Sequence, residues 1–320
     1  LTHLLSRIAA AGVEHVILST SYQAATFEAE FGDGSKLGLQ IEYVTETDPL
    51  GTGGGIANVA PRLRNDTVMV FNGDVLSGAD LTQMLAAHHD TGAELTLHLV
   101  RVSDPRAFGC VPTDDTGRVL AFLEKTEDPP TDQINAGTYI FNRAIIDRIP
   151  RGRAVSVERE VFPALLSDGV KVCGFVDSSY WRDMGTPEDF VRGSSDLVRG
   201  LAPSPALGGQ RGESLVHDGA SVAPGAVLIG GTVVGRGAEI GPGVRLDGAV
   251  IFDGARIDAG SVVERSIIGF GAHIGPRALI RDGVIGDGAN IGARCELLRG
   301  ARVWPGVAIP DCGIRYSSDI

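Results

Sequence analysis

The chain has 320 residues, with 28 Lys and Arg against 40 Asp and Glu, for a net charge of −12. An acidic balance of that size excludes a broad nucleic-acid surface, which needs a basic field, but it leaves room for an anionic small molecule held by a few local cations. Cys110, Cys173, Cys295 and Cys312 are scattered without a CxxC pair, and no apolar run reaches the ~18 residues of a membrane span, so a disulfide frame, a zinc site and a membrane protein drop out and a cytoplasmic setting is expected.

In chain order, "LTHLLSRIAAAG" sets Leu1, Leu4, Leu5 and Ile8 at helical spacing, with Gly12 as the stop. A short apolar strand "VEHVILST", a helix "YQAATFEAEFG" and a strand "LQIEYVTE" follow. The glycine cluster "ETDPLGTGGGIANVA", residues 46–60, then runs into a helix. A strand "TVMVF", a helix "ADLTQMLAAHHDTG" and a strand "AELTLHLVRV" come next. Continuous apolar strands alternating with helices predict a Rossmann-like α/β domain with a mixed, mainly parallel sheet covered on both faces. Ligands of such sheets sit outside the carboxyl ends of the strands. A doubly wound sheet normally opens on a strand whose following turn carries the ligand loop. This chain opens on a helix, so one βα segment of about 30 residues or more is expected ahead of Leu1.

Four short stretches carry the candidate chemistry. In "VMVFNGDVLSG" the apolar run ends in Asn72-Gly73-Asp74, which puts Asp74 at a strand's carboxyl end, although Asn-Gly-Asp is also good turn chemistry. In "VLAFLEKTEDPPTDQINAGTYIFN", Glu124 and Lys125 end a strand and Asn135, Ala136 and Gly137 open the next; a solvated ion pair and a turn are the plain alternatives. "VSVEREVFPALL" sets Glu158 at a helix start, where the helix dipole alone favours a carboxylate. In "SYWRDMGTPEDF", Thr186 reads as an N-cap, Pro187 as the first helical residue, and Glu188 and Asp189 as the first turn. That leaves Asp183 unexplained. A second carboxylate, distant in sequence, could join Asp74 around a hard divalent cation, and Mg²⁺ is commonly held by one or two carboxylates plus substrate phosphates.

Residues 201–214, "LAPSPALGGQRGES", read as a linker. Beyond them an aliphatic residue recurs every six positions: Val216, Val222, Leu228, Val234, Ile240 and Leu246, then, after one deletion, Ile251, Ile257 and Val263, then Ile268, Ile274 and Ile280, and last Ile285, Ile291, Leu297, Val303 and Ile309. Such a period predicts a β-helix of triangular section with three hexads to a coil, and these hexads resemble the left-handed parallel β-helix class. The tail "WPGVAIPDCGIRYSSDI" is expected to cap the last coil.

Taken in order, PLGTGGG, NGD, FGCV, EK, NAGTYIF, VEREVFP and WRDMGTPEDF, followed by the hexads, resemble the sugar-1-phosphate nucleotidyltransferases over essentially the whole chain. The resemblance implies a catalytic domain at 1–200, a linker at 201–214 and a left-handed β-helix at 215–320. It implies that Asp74 and Asp183 hold Mg²⁺. It places Gly109, Glu124, Asn135, Gly137 and Glu158 against the hexose and Lys125 at the sugar phosphate, and makes Asp74, Lys125 and Asp183 the catalytic set. Glu46, Pro49, Gly51, Thr52, Gly53, Gly73 and Asp74 would meet the nucleotide. Two features depart from the family pattern. Thr126 stands where the family usually has Pro, and the family's GxGTRLRPLT loop and following Lys-Pro motif have no counterpart.

Within the family the likeness is strongest to members that join GTP to mannose 1-phosphate, giving GDP-mannose and pyrophosphate. Glu46 suits that base, because a carboxylate accepts two parallel hydrogen bonds and guanine offers adjacent N1–H and N2–H donors. Alternatives are a uridylyl-, thymidylyl- or adenylyltransferase acting on glucose 1-phosphate, or a non-catalytic regulatory homologue. An acyltransferase would need a catalytic histidine, for which the β-helix offers His217 and His273. A homo-oligomer through the β-helix is expected, with neither nucleic acid nor membrane as partner.

Overall fold

The computed structural model describes residues 1–21, 24–208 and 211–315. It divides into two compact units, Leu1–Trp181 and Arg182–Ile320.

The first unit opens with helix α1 (Thr2–Ala10), which buries Leu5 and Ile8. Strand β1 (His15–Thr20), helix α2 (Ala24–Phe31) and strand β2 (Gln40–Thr45) follow, and β1 and β2 pair in parallel from His15↔Gln40 to Thr20↔Thr45. Helix α3 (Gly51–Val59) leads to strands β3 (Thr67–Phe71) and β4 (Val75–Ser77). Helix α4 (Leu81–Thr91) is capped by Asp80, whose carboxylate accepts the Thr82 and Gln83 N–H groups, and it stops at the left-handed Gly92. Strands β5 (Leu95–Arg101), β6 (Gly109–Cys110), β7 (Leu123–Glu124) and β8 (Gln133–Asn142) come next. After α5 (Arg143–Ile146), a π-turn at Val157–Val161 runs into α6 (Phe162–Ser167), and β9 (Val172–Asp177) completes the sheet.

Strand β8 is the hub. It runs antiparallel to β3, β5 and β6, while β5 and β9 are parallel. The sheet is mixed, as expected, but its antiparallel share exceeds the mainly parallel arrangement read from the sequence. Six of the seven residues of β5 and eight of the ten of β8 are buried. A strand buried on both faces gives an unbroken apolar run whichever way it points, so the run reports burial and not direction.

An irregularity inside β8 matters for the site. Between the Leu97↔Tyr139 and Leu99↔Asn135 pairs, β5 advances two residues (97 to 99) and β8 four (135 to 139). The excess is taken up around Gly137, whose φ is +75°. Asn135, Ala136 and Gly137 therefore form a bulge within a strand that starts at Gln133, not the strand's opening turn. Beneath it Phe162 packs against Tyr139 and Phe122, with ring centroids 5.2 and 5.1 Å away.

The division between units falls inside strand β10 (Trp181–Asp183), ahead of the 201–214 segment, because helix α7 (Pro187–Arg199) packs on the repeat region. Ser195 Oγ donates to the Gly230 carbonyl at 2.8 Å, and Phe190 stacks on Phe252 at 6.4 Å. Thr186 caps α7, accepting the Asp189 N–H at 3.1 Å, with Glu188 and Asp189 in the first turn.

The repeat region is a parallel β-solenoid of about 5 turns, consistent with the left-handed form. Its three faces carry six, six and five strands. One face stacks Val216, Val234, Ile251, Ile268, Ile285 and Val303. The second stacks Val222, Ile240, Ile257, Ile274, Ile291 and Ile309. The third stacks Leu228, Leu246, Val263, Ile280 and Leu297. All the inward positions expected from the hexad period fall on these ladders. From Val234 to Val303 they form one buried column, whereas Val216 and Val222 of the first coil are 42% and 40% exposed.

Candidate active site

The predicted residues of the first unit lie at strand ends, at the start of α3, on the β8 bulge and in the π-turn. Glu46 follows β2. Its Oε1 accepts from Ser19 Oγ at the end of β1 at 3.0 Å, and its Oε2 accepts the Leu50 N–H at 2.9 Å. The carboxylate thus ties the ends of β1 and β2 to the start of α3. Pro49 is exposed one residue before Leu50, which precedes the helix.

The glycines of "LGTGGG" have a structural role that the sequence did not disclose. A Cβ on Gly51 would stand 2.8 Å from the Val155 carbonyl oxygen, one on Gly53 2.9 Å from Val155 Cγ1, and one on Gly54 2.7 Å from the Arg153 carbonyl. A Cβ on Gly55 would stand 2.8 Å from Glu46 Oε1. The Gly53 and Gly54 N–H groups donate to the Val155 carbonyl at 2.8 and 3.2 Å, and Val155 N–H donates back to Leu50 at 2.8 Å. Side chains are excluded here because segment 153–155 lies flat on the first turn of α3.

That contact brings Thr52 to Glu158. The Thr52 hydroxyl donates to Glu158 Oε2 at 3.2 Å, and Ser156 Oγ donates to the same oxygen at 3.0 Å. Across the bulge, Asn135 Oδ1 accepts the Gly137 N–H at 3.1 Å, and its Nδ2 donates to Tyr139 Oη at 2.8 Å. Burial first, then the Glu158 charge, pushes the Tyr139 phenol well above its usual range, so it stays protonated at neutral pH. Tyr139 was missed as a site residue. Its spacing of two from Gly137 and four from Asn135 was the available signal, since alternate strand residues share a face.

Gly73 and Asp74 follow β3 and are exposed. The preceding Asn72 N–H donates to the Gly137 carbonyl at 2.8 Å, tying this loop to the bulge. On the other side of β8, Gly109 pairs with Glu124, and a Cβ on Gly109 would stand 3.0 Å from Glu124 Oε2 and 2.9 Å from the Phe122 ring. Lys125 is exposed and left-handed, with φ +50°, and its N–H donates to the Phe108 carbonyl at 3.2 Å. Trp181 donates its indole N–H to the Ala136 carbonyl at 3.0 Å and meets Phe108 edge-on at 5.4 Å.

Asp183 belongs to the second unit and is half-buried. Its Oδ1 stands 3.1 Å from where a Cβ on Gly185 would lie, so a side chain at 185 would crowd the carboxylate. The neighbouring Arg182 is anchored to Asp189 at 3.1 Å and Asp196 at 3.4 Å.

Residues 1–200 match the family model described as nucleotidyl transferase, and residues 210–315 match the GMPPB C-terminal domain. The chain belongs to the nucleotidyl transferase family and, within it, to the mannose-1-phosphate guanylyltransferases. It is 81% identical to the mannose-1-phosphate guanylyltransferase of Mycobacterium tuberculosis, over 100% of this chain and 89% of that protein. A mannose-1-phosphate guanylyltransferase catalytic subunit beta of Drosophila melanogaster is 32% identical over 77% of this chain and 63% of its own. Among solved structures, HddC from Yersinia pseudotuberculosis complexed with GMP-PN is similar at 29% identity and a TM-score of 0.51, over 58% of this chain and 82% of that one. The family generally uses a divalent metal. Among the described residues, no helix is long and apolar enough to cross a membrane.

Proposed function

We propose that this chain transfers GMP from GTP to mannose 1-phosphate, releasing pyrophosphate and giving GDP-mannose. The identity of 81% across the whole chain to a mannose-1-phosphate guanylyltransferase carries the reading. The chain's own residues fit it. The nucleophile is a sugar-phosphate oxygen, already anionic at neutral pH, so no side-chain base is required and catalysis reduces to positioning and charge neutralisation. Glu124, Asn135, Gly137 and Glu158 would orient the hexose beside Gly109, and Lys125 would neutralise its phosphate. Gly51, Thr52 and Gly53 would lie against the nucleotide with Glu46, Pro49, Gly73 and Asp74. In this reading residues 1–200 carry the chemistry and 215–320 form the β-solenoid.

Asp74 and Asp183 are assigned to Mg²⁺. Among the described residues no three His, Cys, Asp or Glu side chains form a closed metal cage. A pair of aspartates suits Mg²⁺, which takes one or two carboxylates and completes its shell with phosphates and water. When bound, the ion supplies charge neutralisation for the phosphates of the two substrates. A cytoplasmic setting and a homo-oligomer through the β-solenoid complete the reading. Phe270 and Trp304, which are 50% and 79% exposed on that domain, are the natural contact residues.

The test is pyrophosphate release by the full-length protein with GTP, UTP, dTTP or ATP against mannose 1-phosphate or glucose 1-phosphate. GTP with mannose 1-phosphate should be the fastest pair. A faster rate with any other pair, or no release with any, overturns the reading.

A further inference from the structure

Thr52 and Glu158 stand 106 positions apart in the chain and are joined by a relay. The Thr52 hydroxyl accepts the Val157 N–H at 3.0 Å and donates to Glu158 Oε2 at 3.2 Å. A hydroxyl that accepts one hydrogen bond is polarised to donate a stronger one. Ser156 repeats the pattern, accepting the Arg159 N–H at 3.3 Å and donating to Glu158 Oε2 at 3.0 Å. Two charge-assisted bonds on one carboxylate oxygen fix its orientation. One of the two donors comes from segment 156–158 itself and the other from the glycine segment. Thr52 has Gly51 and Gly53 on either side, and both are pressed against Val155. Its side chain is therefore what the first turn of α3 extends to Glu158.

We propose that Thr52 is a positioning residue that couples the nucleotide side of the site to the sugar side. It rests on the function proposed above, in which residues 51–53 meet the nucleotide and Glu158 meets the hexose. Its side chain serves the second substrate although its backbone belongs to the segment that holds the first. Nucleotide that settles residues 51–53 also settles the Thr52 hydroxyl and, through it, Glu158. Coupling of this kind is reciprocal, so each substrate tightens the other.

The test is calorimetric binding of GTP alone, and of mannose 1-phosphate alone and with a non-reacting GTP analogue bound, to the full-length protein and to Thr52→Val, Thr52→Ser, Glu158→Gln and the Thr52→Val/Glu158→Gln double variant. The analogue should tighten mannose 1-phosphate in the unaltered protein and in Thr52→Ser but not in Thr52→Val. Loss of a hydrogen bond to a charged group should weaken mannose 1-phosphate binding to Thr52→Val about tenfold while GTP changes less than about twofold. Thr52→Ser, which keeps the hydroxyl, should restore binding. In the Glu158→Gln background the Thr52→Val change should add less than about twofold, because the two residues act as one unit. Amide exchange at Val157 should quicken in Thr52→Val and stay normal in Thr52→Ser. If the GTP analogue leaves mannose 1-phosphate affinity unchanged in the unaltered protein or tightens it equally in Thr52→Val, or if Thr52→Val spares mannose 1-phosphate, or weakens GTP instead, or is additive with Glu158→Gln, or leaves Val157 exchange unchanged, the coupling is wrong. If the unaltered protein binds neither substrate, the proposed function fails and the coupling fails with it. That outcome is distinct from normal wild-type binding with an inert Thr52→Val.

Discussion

Asn72 and Gly137 are interlocked. The Asn72 N–H donates to the Gly137 carbonyl at 2.8 Å, and a Cβ on Gly137 would stand 2.8 Å from Asn72 Nδ2 and 3.1 Å from Asn72 Cβ. Gly137 also holds a φ of +75°, which L side chains rarely adopt. Gly137→Ala should therefore cost about 1–3 kcal/mol of stability from strain and crowding together. Asp74 lies two residues beyond Asn72, so turnover should fall as well. Urea unfolding and steady-state rates check this, and an alanine variant with unchanged midpoint and unchanged rate would refute the interlock.

The two aspartates make a separate prediction. Asp74→Ala and Asp183→Ala should each abolish Mg²⁺-dependent turnover, and chelation should silence the unaltered protein until Mg²⁺ is returned. Asp74 is exposed, so its replacement should shift stability by less than about 0.5 kcal/mol, which separates loss of chemistry from loss of fold. Near-normal turnover of either variant at ordinary Mg²⁺ concentrations would remove that residue from the metal site.

What the sequence disclosed depended on how local each feature is. The hexad ladder was legible down to single residues such as Val263 and Ile280, because inward pointing repeats with a fixed short period. The α7 cap was legible because Thr186, Pro187 and Asp189 settle it among themselves. The site was less legible. Its residue types could be picked out one by one, but the bonds that join them depend on the β8 bulge and on segment 153–158 lying against α3. Neither contact leaves a local signature. Four glycines within five residues look like room for a ligand, and three of them make room for Arg153 and Val155 of the same chain.

Glu46 offers a test of base choice. Both of its oxygens already accept a protein hydrogen bond, from Ser19 and from the Leu50 N–H. A carboxylate has about four lone-pair sites, so it can still accept two donors from guanine while held in this way. Glu46→Gln would place an NH₂ group where one of those acceptors stood. The preference for GTP over UTP should fall about tenfold, in line with loss of one hydrogen bond to a charged group. Initial rates with the two nucleotides measure it. A glutamine variant with undiminished GTP selectivity would leave Glu46 as the tie between Ser19 and α3 and nothing more.

His88 makes the fold sensitive to mild acid. The ring is buried on α4 between Thr96 Oγ1, 2.8 Å from Nδ1, and Asn142 Oδ1, 3.1 Å from Nε2. Burial holds its pKa below the ordinary value; the neighbouring His89 adds to that shift, and the bond to Asn142 opposes it without cancelling it. The folded state therefore favours the neutral ring, whereas the unfolded chain takes up a proton near the ordinary histidine value of about 6.5. The stabilisation that His88 contributes is complete above that pH. It declines as pH falls below it and is fully lost only below the depressed folded value. Urea midpoints should therefore fall between about pH 7 and pH 5. The fall should be shallower in His88→Gln, which keeps an amide to meet Thr96 and Asn142 but has no proton to gain. Parallel pH profiles for the two proteins would show that the sensitivity arises elsewhere.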